Sequence, residues 1–136
     1  MAPDDPRASL ARDWFSRAQQ DLAASERLLD QPALPAEAAF HVQQAIEKTL
    51  KGWLAWHDLP FARTHDLDQL LGNCASVDPE VLILRPAVAP LTRFGAEMRY
   101  PGSGPAPGID EAQAALTVAR RTIEFVRVRL PAAVWP

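Results

Sequence analysis

The sequence predicts an all-α protein: an antiparallel up-and-down four-helix bundle with a short additional helix. Three observations predict it. Thirteen prolines leave proline-free runs of 25, 24, 18 and 23 residues, at 7–31, 36–59, 61–78 and 108–130. Proline inside a helix removes a hydrogen bond and clashes with the preceding turn, so these gaps are where long helices fit. Within the runs, apolar residues recur at i, i+3, i+4 and i+7, the signature of one helix face. No segment alternates with period two for long enough to be a strand.

The first helix is expected from about Ser9 to Asp30. Ala11, Trp14, Phe15, Ala18, Leu22, Ser25, Leu28 and Leu29 form its apolar side, and Arg17, Gln20, Glu26 and Arg27 its polar side. Pro32 and Pro35 end it. The second, about Pro35 to His57, is the most regular. At 100° per residue, Val42, Ile46, Trp53, Ala39 and Leu50 fall within about 80° of one another. Leu54 and Trp56 flank that arc, while His41, Gln44, Lys48 and Lys51 gather opposite; Gln43 sits at the edge and Glu47 just beyond. A short third helix opens at Thr64 or His65, with Asp66 and Asp68 suiting a positive helix N-terminus. Leu67, Leu70 and Leu71 are its apolar side, and Gly72-Asn73 closes it.

The fourth element is broken by Pro79, Pro86 and Pro90. A turn near Pro79 and a helix from about Pro86 to Arg99 are expected, with Pro86 tolerated in a first turn and Pro90 distorting the helix. A loop at 101–108, rich in proline and glycine, follows. The last helix starts at Asp110-Glu111 and carries Ala112, Leu116, Ala119, Ile123, Val126 and Leu130 as one stripe. The chain thus divides into a flexible segment at 1–8, a bundle at 9–130 and a tail at 131–136.

One domain accounts for the length, and 48% hydrophobic with 23% charged residues is ordinary for a folded protein and excludes disorder. A single cysteine, Cys74, excludes a disulfide framework and a multi-cysteine zinc site, and is expected as a small buried residue. No apolar run approaches a membrane span, and Met1–Arg7 lacks a signal-peptide core, so the cytoplasm is expected. A net charge of −3 argues against non-specific binding of duplex DNA.

Standard catalytic motifs are missing: there is no phosphate-binding P-loop, no His-Glu-x-x-His and no Glu-x-x-His pair. Gly102-Ser103-Gly104 is a weak phosphate cradle, because Pro105 and Pro107 remove two amide donors. No cofactor or metal is expected: His41, His57 and His65 show no spacing that makes them converge, and each reads first as a cap, a packing group or a solvated side chain. The best local constellation is the stripe of His41, Gln44, Lys48 and Lys51. Two lysines three residues apart share a face and suit a phosphate or a nucleic-acid backbone. The alternative is a solvated face on which Glu47 pairs with Lys51 at i, i+4.

The run Phe40-His41-Val-Gln43-Gln44-Ala-Ile-Glu47-Lys48-Thr-Leu50-Lys51-Gly resembles the second-helix signature of the HEPN family, a nucleotide-binding domain of higher eukaryotes and prokaryotes. Asp13-Trp14-Phe15 through Ala18 and Asp21-Leu22 to Leu28-Leu29 resemble its first helix. Thr64-His65-Asp66-Leu67 with Leu70-Leu71, and Arg99-Tyr100-Pro101 before the last helix, fit the same pattern. Together they cover roughly Leu10 to Leu130. The resemblance implies an antiparallel helical bundle, usually a homodimer, often encoded beside a minimal nucleotidyltransferase, some such pairs acting as toxin and antitoxin. RNase members carry Arg, four to six residues, then His. Here no arginine precedes His41, His57 or His65 at that spacing, and Arg99 is followed by Ser103, Gly104 and Pro105 rather than by a histidine.

Three expectations follow. The first is a non-catalytic homodimeric module that binds a nucleotide or RNA, or a nucleotidyltransferase partner. In it Lys48, Lys51, His65 and Arg99 contact phosphate, Gln44 and His41 complete the site, and Tyr100 stacks on a base. The second is a metal-independent RNase in which Arg99 stabilises the reacting phosphate and His65 or His41 moves the proton. The third is a structural dimeric scaffold, with Trp56 as its interface residue and Trp135 loosely held. Against the site readings, His65 equally orders the start of the third helix, and Arg99 equally pairs with Asp66 or Glu47.

Overall fold

The computed structural model describes residues 5–61 and 63–136, the Arg99 side chain excepted. Helix α1 (Pro6–Leu28) starts three residues before the expected Ser9, inside the segment read as flexible. The Asp5 carboxylate accepts a hydrogen bond from the Arg7 amide at 2.8 Å. Pro6 occupies the first turn, where its missing N–H costs nothing. Helix α2 (Pro35–Trp56) begins on a proline for the same reason. Helix α3 (Leu67–Cys74) is capped by Asp66, not by Thr64 or His65; its carboxylate accepts from the amides of Asp68 (3.0 Å) and Gln69 (3.4 Å).

The expected helix over 86–99 is a chain of short turns. A 3-10 helix at Pro79–Leu84 leads into α4 (Arg85–Val88), then 3-10 helices at Ala89–Phe94 and Ala96–Arg99. Pro86 and Pro90 each lack an amide, so the α-helical ladder cannot run through them, and the chain tightens to 3-10 geometry after Val88. Gly95, extended at ψ −154°, separates the last two turns. Helix α5 (Ile109–Arg127) closes the fold, with Asp110 and Glu111 in its first turn. Among the described residues there are five α-helices and no strand, and no helix is long and apolar enough to cross a membrane.

α2 is the central element. It packs most extensively on α1, and the two run antiparallel. Arg7 lies over the Trp56 ring at 5.2 Å at one end, and Asp21 meets His41 and Lys48 towards the other. Between them Gly52 lets Phe15 in: a Cβ there would stand 2.5 Å from Phe15 Cε1. α5 runs parallel to α2. Trp53 and Phe125 meet edge-on at 6.1 Å, while residues 34–37 lie against 106–107 at the other end. The turns over 79–94 lie antiparallel to α5, pairing 79–84 with 121–129 and 87–94 with 111–118. The core contains Phe15, Val42, Ile46, Leu50, Trp53, Leu54, Leu67, Leu70 and Leu71, all essentially without solvent access.

Trp135 is not loose. A turn at Pro131–Val134 brings Val134 into the core and sets Trp135 on Phe15 at 4.8 Å. Arg12 donates to the Ala133 carbonyl at 3.2 Å. Two large apolar side chains so close to the chain end bury readily, and their burial offsets the ordering cost of a short segment.

Candidate functional site

Two carboxylates, one on α1 and one on α2, organise the polar flank of α2. Asp21, on α1, receives both His41 Nδ1 (2.8 Å) and Lys48 Nζ. Glu47, on α2 itself, is buried with a side chain 4% exposed. Its Oε2 accepts from Lys51 Nζ at 3.1 Å, and its Oε1 accepts from His65 Nδ1 at 2.8 Å and from Gln43 Nε2 at 3.3 Å. The i, i+4 pairing of Glu47 with Lys51 is therefore present.

Lys51 does not face water. The residue is buried, and its ammonium lies 5.7 Å from the Trp14 ring centroid and 5.9 Å from that of Phe61. Position on the helical wheel put it on the polar side, but α1 and the segment after α2 cover that side. A cation so enclosed needs its counter-charge, and Glu47 with the two ring faces supplies it. Lys48 is half-buried and already matched by Asp21.

His65 is the opposite case. Its side chain is 70% exposed, yet its Nδ1 is tied to the buried Glu47. A carboxylate on one ring nitrogen fixes the orientation of the imidazole and leaves Nε2 without a hydrogen-bond partner among the described residues. Buried Gln43 adds a second restraint, since its Nε2 also donates to the His65 carbonyl at 3.0 Å. Gln44 Nε2 donates to Gln43 Oε1 at 2.7 Å. Thr64 Oγ1 accepts from the Asp66 amide, so Thr64 and Asp66 build the α3 entrance while the His65 ring bonds Glu47 instead.

The same glutamine meets the run of short turns over 89–99. Gly95 lies so close that a Cβ would stand 3.3 Å from Gln43 Cδ. The strand of chain bearing His65 and the turn leading into Arg99-Tyr100 thus converge on one side chain. Tyr100 is 71% exposed. The Arg99 side chain lies outside the described residues, and with it the pairings to Asp66 or Glu47.

Other expected features take quieter places. Ser103 turns both its amide (3.3 Å) and its hydroxyl (2.6 Å) onto the Tyr100 carbonyl, so neither is left to cradle a phosphate. Gly102 (φ 84°) and Gly104 (φ 103°) occupy the left-handed region that this tight loop requires. His57 packs edge-on to Trp53 at 6.2 Å; burial, and secondarily the nearby Arg7 charge, hold its pKa below the usual 6.5. Trp56 is half-buried beneath the Arg7 guanidinium. Burial pushes the Cys74 thiol up to about 12.

The residues that sequence reasoning undervalued are Asp21, Gln43 and Glu47, which hold the others. Glu47 had a signal, its i, i+4 spacing to Lys51. The Glu47–His65 and Asp21–Lys48 pairs span 18 and 27 positions and have none.

A HEPN domain model matches residues 11–129. The crystal structure of TT1696 from Thermus thermophilus superposes with a TM-score of 0.72 at 29% identity, covering 88% of this chain and 98% of that one. None of the curated proteins matches.

Proposed function

Because this chain belongs to the HEPN family, we propose that it is a non-catalytic nucleotide- or RNA-binding module, a homodimer acting with a nucleotidyltransferase-type partner in a toxin–antitoxin-like pair in the cytoplasm. The same reading takes α1, α2, the turns over 79–99 and α5 as the four limbs of an up-and-down bundle. One observation carries the assignment: the exposed His65 imidazole is held from behind by buried Glu47, so Nε2 meets a ligand without first being ordered. A preset donor or acceptor loses less entropy on binding than a free side chain.

In this reading His65 and Arg99 contact a phosphate, Tyr100 stacks on a base, and His41, Gln44 and Lys48 flank the site. Lys51 contributes by holding the Glu47 carboxylate in place. The test is native mass spectrometry in low salt, followed by anisotropy titration with a labelled short single-stranded RNA and competition by ATP. A retained nucleotide or oligonucleotide mass, and at least tenfold weaker binding by His65→Ala or Tyr100→Ala, support the reading; base–aromatic stacking is worth about 1–3 kcal/mol. Unchanged affinity in His65→Ala overturns it.

The Glu47–His65 pair favours one second reading. A histidine oriented by a carboxylate also serves as a general base, here taking the 2′-hydroxyl proton as that oxygen attacks the adjacent phosphodiester; the P–O5′ bond breaks, the 5′-oxygen leaves with a proton from water, and a 2′,3′-cyclic phosphate remains. Cleavage of mixed RNA in EDTA that disappears in His65→Ala selects it; intact RNA rejects it.

A further inference from the structure

Gln43 lies on the polar flank of α2, yet it has no solvent access. A primary amide buried so completely costs free energy unless its donors and its acceptor are used. Here both ends are used. Nε2 donates to the His65 carbonyl at 3.0 Å and to Glu47 Oε1 at 3.3 Å, and Oε1 accepts from Gln44 Nε2 at 2.7 Å. Turned over, the amide would set its oxygen against the His65 carbonyl and the Glu47 carboxylate, acceptor against acceptor. One orientation is therefore fixed. Glu47 Oε1 is also the oxygen that holds the His65 ring, so ring and amide share an acceptor.

Gly95 lies against this fixed amide. A Cβ on it would stand 3.3 Å from Gln43 Cδ and 3.4 Å from Oε1, so the turn cannot shift towards α2 without pushing the amide. From Gly95 the backbone is tied onward to Tyr100. The Met98 amide donates to the Gly95 carbonyl at 3.1 Å, and the Tyr100 amide to the Glu97 carbonyl at 3.3 Å. A second tie joins the same two segments, because Thr92 Oγ1 accepts from the Leu67 amide at 3.0 Å. Residues 65–67 and 92–100 are thus linked once through Thr92 and once through Gln43, and the Gln43 link also reaches the anchor of the His65 ring. Close-packed interiors pass a displacement on instead of absorbing it. A shift at His65 moves the amide, and the amide bears on Gly95.

We infer that Gln43 is a positioning residue that couples the two arms of the site, so that a ligand contact made at His65 sets the turn bearing Tyr100 for the other contact, and the reverse. Gln43 itself is buried and touches no ligand. The two contacts then strengthen each other, as groups within one hydrogen-bonded network do. The ligand part of the inference rests on the nucleotide- or RNA-binding reading; the mechanical link between His65 and the turn does not.

The link is tested first without ligand, by hydrogen exchange at the Met98 and Tyr100 amides. His65→Ala should speed exchange at both by at least about threefold. In Gln43→Met, which keeps the length and loses the hydrogen bonds, the same His65→Ala change should add nothing. Thr92→Val removes only the other tie and should leave the His65→Ala effect in place. The reciprocal variant Gly95→Ala keeps Gln43 and decides the matter if Gln43→Met does not fold: its methyl should move the ring 15N resonances of His65. The ligand arm is a double-mutant cycle of His65→Ala and Tyr100→Ala on binding of a labelled short single-stranded RNA. Their losses should depart from additivity by at least about threefold with Gln43 present and add simply in Gln43→Met. Amides at 98 and 100 that ignore His65→Ala, a His65 ring that ignores Gly95→Ala, or a coupling that survives Gln43→Met overturns the inference, whatever the RNA does. A link that is present in a protein that binds no RNA leaves the inference standing and overturns the binding reading.

Discussion

Removing the Glu47 carboxylate tests the arrangement at its buried joint. Glu47→Ala leaves the Lys51 ammonium enclosed, its side chain 9% exposed, without the one carboxylate that pairs with it among the described residues. Breaking one half of a buried ion pair costs about 3–5 kcal/mol. The Trp14 and Phe61 faces offset part of this, cation–π contacts being worth about 0.5–2 kcal/mol. The expected net loss is about 2–4 kcal/mol at pH 7, a large fraction of the 5–15 kcal/mol typical of folded domains. Urea unfolding followed by tryptophan fluorescence reads it as a lower midpoint at unchanged slope. The paired change Glu47→Leu, Lys51→Met, apolar at both ends, should recover most of the loss, because it buries no lone charge. It should not recover ligand binding, because His65 has still lost its anchor. A Glu47→Ala protein within about 0.5 kcal/mol of wild type, or a double variant no better than the single, refutes the reasoning.

Three further outcomes are expected. Gly52→Ala gains about 1 kcal/mol of helix propensity but drives a methyl to 2.5 Å from Phe15 Cε1, and overpacking costs about 1–3 kcal/mol; calorimetry should show a net fall in Tm, largely relieved by adding Phe15→Leu. The Cys74 thiol, pushed up to about 12 by burial, stays protonated at pH 8, so its labelling by a disulfide reagent should proceed only as fast as the protein opens; immediate labelling of the native protein contradicts the burial. A hydrogen bond from the Glu80 amide, then the Arg129 guanidinium, holds Asp78 below its ordinary 3.8. The folded state therefore releases that proton more readily than the unfolded one, and the stability this contributes is full above pH of about 3.8 and lost as pH falls through the lower folded value. Acid unfolding of Asp78→Asn should be the shallower over that window, and an unchanged acid limb would count against the pairing.

Much of the fold is legible because proline and periodicity act locally. The spans of α2 and α5 follow from apolar residues three and four apart, and α3 from its leucines. The misread places are those where one local rule met another. Pro6 reads as a breaker until Asp5 is seen capping the helix it opens. Two prolines four residues apart divide a segment whose apolar spacing is still helical. Lys51 sits on the wheel's polar side, and only the position of α1 shows that Trp14 closes over it. Trp135 follows a proline near the chain end, and nothing local reveals that Phe15 receives it. The site divides in the same way: its residues lie in recognisable motifs, but which carboxylate holds which cation depends on packing.

The most direct test of the central claim is a long-range 1H–15N spectrum of the histidine rings, recorded while ATP or a short RNA is titrated in. The account predicts that the Nε2 resonance of His65 moves progressively with ligand, that His57 stays still, and that the effect vanishes in Glu47→Ala, where the ring has lost its anchor. Ligand binding that leaves His65 unmoved would contradict it.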